Sequence, residues 1–111
     1  MTHKMNLEHN SFFKIKDGTK TVEMRLFDEK RSHISIGDMI LFEDVENGNQ
    51  MECLVTNLYR YPTFVDLYAH HDKISIGYDD KETADPDDML YYYSKDNIKK
   101  YGVVGIEIRT V

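Results

Sequence analysis

The chain has 111 residues, a length typical of one compact domain, and its 41% hydrophobic and 31% charged residues are typical of a soluble globular protein. No apolar run reaches the roughly 20 residues that a membrane helix needs, and the N-terminal segment lacks the apolar stretch of a signal peptide. A single cysteine, Cys53, excludes a disulfide framework. We therefore expect one domain, residues 1–111, in the cytoplasm.

The net charge of −6 is concentrated in one segment. Residues 79–88, DDKETADPDD, hold six acidic residues against one lysine, whereas residues 14–31 carry a local charge of +2. Phosphate contacts need lysine and arginine, and this chain has no extended basic track for duplex DNA. The local balance favours a small ligand or a short single strand.

The first predicted elements are a short helix and a strand. Ser11 or Asn10 can cap the helix, and Gly18 fits the left-handed position that ends it. Apolar and polar residues then alternate, which predicts a strand over 20–26. Its apolar face holds Val22, Met24 and Leu26, and its polar face holds Thr21, Glu23 and Arg25.

Three more strands and three helices are predicted further along the chain. The strands cover residues 38–44, 51–61 and 103–109. The residues that cap the helices are Thr63, Asp85 and Ser94. Residues 70–85 read as a loop. These connections are too uneven for a doubly wound parallel sheet, so we predict an α+β fold, a small mixed or antiparallel β-barrel with short helices between strands.

The polar face of the first predicted strand is the leading candidate site. Glu23 and Arg25 point to the same side, so a carboxylate and a guanidinium can line a cleft together with Thr21. Lys20 has the opposite parity, but it lies at the junction with the turn, where strand alternation need not hold. The alternative is a solvated strand face with a surface ion pair, which contributes about 0–1 kcal/mol and has no function.

Aromatic residues offer a second candidate surface. Arg60 and Tyr61, in YRYP, present a cation and a stacking ring to a base, although aromatics at a strand end also serve as packing. In MLYYYSK three consecutive tyrosines cannot all face the core, so Tyr91 or Tyr92 is expected to be exposed. The scattered histidines and the acidic segment lack metal-ligand spacing, so we expect no metal and no cofactor.

Several segments together resemble the ASCH domain family, which has a PUA-like β-barrel fold. The most specific is the pattern G-x-K-T-x-E-x-R, at Gly18, Lys20, Thr21, Glu23 and Arg25. It is supported by ISIGDMILFE, LYRYPTF, YYYSKD and YGVVGIEI, and the resemblance runs from about residue 5 to residue 108. In this family the glycine-lysine motif is thought to line a cleft that accepts RNA or a nucleotide-like ligand. The resemblance thus implies a cleft lined by Lys20, Glu23 and Arg25. From proximity in the chain, we expect Arg60 or Tyr61 at its rim.

One enzymatic branch of the family, small amidohydrolases acting on N4-acetylcytidine, is also similar. It carries K-T-x-T-x-R, with catalytic lysine and second threonine and a glutamate from a later segment. Here Glu23 replaces the second threonine, and Glu82 lies in roughly the segment of the distant glutamate. Because Glu23 would hold the Lys20 ammonium charged, the replacement favours binding over a copy of that hydrolase.

Three hypotheses follow. The leading one is a module that binds RNA or a nucleoside-type ligand through Lys20, Glu23 and Arg25, with Tyr92 as a stacking ring. The second is a nucleoside amidohydrolase in which Lys20 and Glu23 or Glu82 transfer protons. The third is a protein-interaction module that uses the exposed tyrosines and the acidic segment. The sequence predicts no oligomeric state.

Overall fold

A computed structural model describes residues 1–111 and shows five strands and five short helices. The strands are β1 (Thr2–Leu7), β2 (Val22–Leu26), β3 (Met39–Asp44), β4 (Gln50–Tyr61) and β5 (Val103–Thr110). The helices are α1 (His9–Asp17), α2 (Glu29–Ser32), α3 (Phe64–His70), a 3₁₀ helix (Pro86–Tyr91) and α4 (Lys95–Tyr101). None of them is long and apolar enough to cross a bilayer.

The strands form one curled, mixed sheet in the order β1-β3-β4-β5-β2. β1 pairs with β3 in parallel, and the other three pairings are antiparallel. The predicted α+β fold is confirmed, with the sheet curled into a half-barrel. The edge strands β1 and β2 have no backbone ladder between them, so the sheet remains open at one seam.

Two apolar clusters fill the two sides of the sheet. The larger one packs α1 onto the strands through Phe12 and Ile15. The smaller one joins the apolar face of β2 to Phe64 and Leu67 of α3, and to Met89 of the 3₁₀ helix. The predicted alternation in β2 is confirmed on this side, because Val22, Met24 and Leu26 are all buried there.

Most helix ends match the sequence. The side chains of Thr63, Asp85 and Ser94 accept hydrogen bonds from the backbone at the start of their helices, as predicted. Gly18 ends α1 with φ 88°. The predicted cap of α1 is wrong, because the helix begins at His9 without a side-chain cap and Ser11 lies inside it.

Two elements, β1 and α2, are not predicted from the sequence. β1 was missed because only Met5 and Leu7 are buried, and its partner β3 lies more than thirty residues away in the chain. α2 was missed because it is four residues long and buries no side chain. Residues 71–85 contain no helix or strand, in agreement with the predicted loop.

Candidate functional site

A pocket of about 500 Å³ opens at the seam between the two edge strands. The end of β1 and the first turns of α1 form one side, and β2 forms its floor. The remaining walls come from Tyr68 of α3, residues 76–78 and Glu82 of the loop, and residues 88, 89 and 91–93. The volume is within the range of small-molecule binding sites.

Three charged side chains meet on the floor of this pocket. The Lys20 Nζ atom lies 2.7 Å from Oε1 of Glu23, and the Arg25 Nε and Nη2 atoms each lie 2.8 Å from Oε2. Lys20 and Glu23 are 7% and 5% exposed. A solvated strand face, the alternative considered from the sequence, is therefore wrong for these residues.

Lys20 joins the same face as Glu23 because regular strand geometry begins only at Val22. The backbone amides of Thr21 and Val22 both donate to the carbonyl of Ser75, which turns the chain just before β2. Thr21 is exposed and does not line the pocket, so it is not part of the cluster.

The cluster is fixed to its surroundings by contacts with other elements. Lys20 donates to Oγ of Ser11 on α1 at 3.2 Å, and Arg25 Nη2 donates to the carbonyl of Asn6 on β1 at 2.7 Å. The second contact bridges the open seam of the sheet. Gly77 packs on the Lys20 stem, where an added Cβ would lie 3.2 Å from Cδ. A larger residue at position 77 would press on the lysine.

The two cations keep Glu23 ionised. Burial alone would raise the pKa of Glu23, but Lys20 and Arg25 outweigh it and hold this pKa below its ordinary value. With both partners charged, the cluster carries a net charge of +1. It is a preorganised set of hydrogen-bond donors around one carboxylate.

Several donors of the cluster have no partner in the protein. A lysine ammonium has three N–H groups, and Lys20 uses two of them, on Ser11 and Glu23. The Nη1 group of Arg25 makes no hydrogen bond, while Nε and Nη2 are occupied. Oε1 of Glu23 receives only Lys20 and can accept one more hydrogen bond. The floor therefore offers donors next to an acceptor.

Aromatic rings surround the opening. Tyr68, Tyr78, Tyr91, Tyr92 and Tyr93 all line the pocket. Tyr91 is 84% and Tyr92 is 52% exposed, and their rings meet edge to face with centroids 5.0 Å apart. Burial and the nearby Glu8 carboxylate raise the pKa of Tyr92 to about 12, so its phenol stays neutral. Both tyrosines that the sequence offered as exposed lie at this opening.

The other predicted site residues fall into two groups. Glu82 lies on the pocket wall, where its carboxylate is 3.8 Å from Lys14 Nζ and accepts a hydrogen bond from the Asp79 amide. Arg60 instead stacks on the ring of Phe27, and the Tyr61 hydroxyl bonds to His71. Arg60 and Tyr61 do not line the pocket, because they lie at the end of β4 in the middle of the sheet, whereas the seam lies between its edge strands.

Sequence reasoning missed Tyr68, Tyr78 and Asp88 in this pocket. They come from α3, the loop and the 3₁₀ helix, and no local pattern predicts that these segments meet. Nowhere in the chain do three or more His, Cys, Asp or Glu side chains cluster in a way that could hold a metal ion.

The curled mixed half-barrel agrees with the PUA-like fold that the resemblance to ASCH domains implies. The chain belongs to this family: the ASCH domain model matches residues 5–111. The crystal structure of hypothetical protein PH0355 is similar over 100% of both chains, with 30% identity and a TM-score of 0.85. The solution structure of protein PF0455 from Pyrococcus furiosus covers 100% of this chain and 98% of its own, with 28% identity and a TM-score of 0.78. No curated protein matches significantly.

Proposed function

We propose that this ASCH domain binds a nucleoside-type ligand in the seam pocket, with the base held by Lys20, Glu23 and Arg25. The observation that carries the proposal is the burial of these three interlocked charges on the floor of an open pocket. Burying charges is costly, so a purely structural role would be better served by apolar side chains of similar size. A ligand that accepts hydrogen bonds from the unpaired donors of Lys20 and Arg25 accounts for the burial of these charges.

The donor pattern suits one edge of a nucleobase. The free N–H groups of Lys20 and Arg25 match a ring carbonyl or ring nitrogen, and the remaining acceptor position on Glu23 matches an exocyclic amino group. Tyr91 and Tyr92, exposed at the opening, supply faces on which a base can stack.

The charge of the pocket favours a free nucleoside over an RNA strand. Glu8, Glu23, Glu82 and Asp88 line it against two cations, Lys20 and Arg25, which gives the walls a formal charge of −2. Phosphates bind where cations are in excess, and here the two cations already share one carboxylate. A neutral ligand meets no such repulsion. We place this activity in the cytoplasm, as expected for a chain with one unpaired cysteine.

The binding experiment uses calorimetric titration with the four common ribonucleosides and a short single-stranded RNA. We expect a nucleoside to bind more tightly than the strand, and Lys20→Ala or Arg25→Ala to weaken it at least tenfold, since each removes a charged hydrogen bond. Lys4→Ala and Arg109→Ala are matched controls, because both side chains are exposed on strands and make no polar contact. Unchanged affinity in the two pocket variants would overturn the proposal.

The second candidate is the amidohydrolase activity of the similar enzymatic branch. It is favoured by the placement of Lys20 and Glu82 in one pocket. It is disfavoured by the contacts of Lys20 Nζ, which lies 2.7 Å from Glu23 and donates to Ser11 at 3.2 Å, so this nitrogen is already engaged as a hydrogen-bond donor. Incubation with N4-acetylcytidine, followed by detection of cytidine, tests it directly. No turnover at high protein concentration would remove this candidate.

The third hypothesis, a protein-interaction module, stays a prediction based on exposed Tyr91 and the acidic segment 79–88. Charge removal at Asp85, Asp87 and Asp88 should abolish partner capture under this hypothesis. Because Asp88 also lines the pocket, the variant that separates partner capture from ligand binding is the double variant Asp85→Asn, Asp87→Asn. The hypothesis requires that this double variant loses partner capture and retains nucleoside affinity.

A further inference from the structure

A chain of hydrogen bonds runs along a different wall of the same pocket. The Tyr68 and Tyr78 hydroxyls lie 2.8 Å apart, and the Tyr78 hydroxyl lies 2.8 Å from Oδ2 of Asp88. The three residues come from α3, the loop and the 3₁₀ helix, and all of them line the pocket. The contacts therefore depend on tertiary structure, not on local turn geometry.

The protons of this chain can be assigned from its composition. The Tyr78 hydroxyl has two acceptors within reach, Oδ2 of Asp88 at 2.8 Å and the backbone carbonyl of Asp85 at 3.3 Å. Its single proton goes to the carboxylate, which is both nearer and charged. The Tyr78 oxygen is then free to accept, and Tyr68 donates to it. Both phenols stay neutral, because burial raises the pKa of Tyr68 and of Tyr78.

This assignment leaves two acceptors and no donor on the wall. The Tyr68 oxygen keeps a lone pair, and Oδ1 of Asp88 receives no hydrogen bond from the protein. A phosphate or a carbonyl, which can only accept hydrogen bonds, finds no donor on this wall. The complement of such a surface is a group with O–H donors, and carboxylates are used elsewhere to bind the ribose hydroxyls of nucleotides.

We propose that Tyr68, Tyr78 and Asp88 form a hydroxyl subsite that binds the ribose of the ligand and selects ribonucleosides over their deoxy forms. This rests on the proposed function, with the base on the Lys20–Glu23–Arg25 floor. Asp88 contacts the sugar, and Tyr78 is a positioning residue that orients Asp88 and Tyr68. The pocket divides the ligand chemically: the floor offers donors next to one acceptor to the base, and the Tyr68–Tyr78–Asp88 wall offers only acceptors to the sugar.

The test compares the affinity of each ribonucleoside with that of its 2′-deoxy and 3′-deoxy analogues, by calorimetric titration. One hydrogen bond from a sugar hydroxyl to a carboxylate predicts at least a tenfold preference of the wild-type protein for the ribose form. In Asp88→Asn this ratio should fall toward one, while affinity for the deoxy analogues stays within twofold. Asp87→Asn is the matched control, because Asp87 lies on the same 3₁₀ helix outside the pocket.

Tyr78→Phe tests whether the Tyr78 hydroxyl positions Asp88 and Tyr68, separately from any effect of the substitution on folding. It keeps the ring and removes the hydroxyl, and the ribose preference should fall at least threefold, whereas Tyr101→Phe, outside the pocket, should retain it. Circular dichroism checks that each variant is folded, and a misfolded Tyr78→Phe leaves Asp88→Asn to decide. Equal affinity for ribose and deoxyribose forms in the wild type, or an unchanged ratio in Asp88→Asn, overturns the subsite alone. Failure of every nucleoside to bind overturns the proposed function and the subsite with it.

Discussion

Replacing Glu23 by glutamine tests whether the charge cluster is held together by its carboxylate. Glu23→Gln keeps the shape of the side chain but removes the carboxylate that forms ion pairs with both Lys20 and Arg25, whose side chains are 7% and 14% exposed. Breaking a buried ion pair from one side costs about 3–5 kcal/mol. Glutamine still accepts one hydrogen bond, so we expect the lower end, about 3 kcal/mol. In a domain of this size that lowers Tm by roughly 12 °C or more.

The assay is urea unfolding followed by far-UV circular dichroism, at several pH values. Glu52→Gln is the matched control, because Glu52 is an exposed strand glutamate and its loss should change stability by less than about 0.5 kcal/mol. The folded-state pKa of Glu23 is lowered, so its stabilisation is present above the ordinary value of 4.5 and is lost as pH falls through the folded value. The gap between wild type and Glu23→Gln should therefore narrow in acid. A variant as stable as the wild type at pH 7 would refute this account of the cluster.

Three further predictions concern residues outside the charge cluster or against its edge. The hydrogen bond to the Asp44 carboxylate raises the pKa of His9 above 6.5, so the loss of unfolding free energy in His9→Asn should be largest below pH 6.5 and should decrease as pH rises through the folded-state pKa. An equal loss at pH 5.5 and pH 8 would contradict this prediction. Gly77→Ala should destabilise by about 1 kcal/mol or more and weaken ligand binding, because Gly77 has φ 112° and its Cβ would press on Lys20; wild-type stability and affinity contradict it. Burial raises the pKa of Cys53 to about 11, so a thiol reagent at pH 8 should modify this cysteine only after the protein unfolds. Rapid modification of the native protein would contradict the burial of Cys53.

Local patterns in the sequence are sufficient to predict most of the helices and strands. Gly18, Thr63, Asp85 and Ser94 mark helix ends by their own chemistry, and alternation in β2 places its apolar residues in the core. β1 could not be recognised because polar residues dominate it and its pairing with β3 is parallel and long-range. Tertiary pairing of this kind leaves no signal in a short window.

The site was predictable only where it lies on one strand. Glu23 and Arg25 share a face by simple parity, and Lys20 joins them because the strand has not yet begun at that position. The walls of the pocket depend on the open seam between β1 and β2, which no residue pattern reveals. Arg60 and Tyr61 were placed at the rim by proximity in the chain, and the sheet order separates them from it.

The central claim is that the seam pocket is where a nucleoside binds. The most direct measurement is an NMR titration of the ¹⁵N-labelled protein with each ribonucleoside, followed through the backbone amide shifts. If a nucleoside binds in the seam pocket, the shifts should be saturable and concentrated at Ser11, residues 20–25, Gly77 and residues 88–93. No shifts at millimolar nucleoside, or shifts centred on Arg60 and Tyr61 instead, would contradict it.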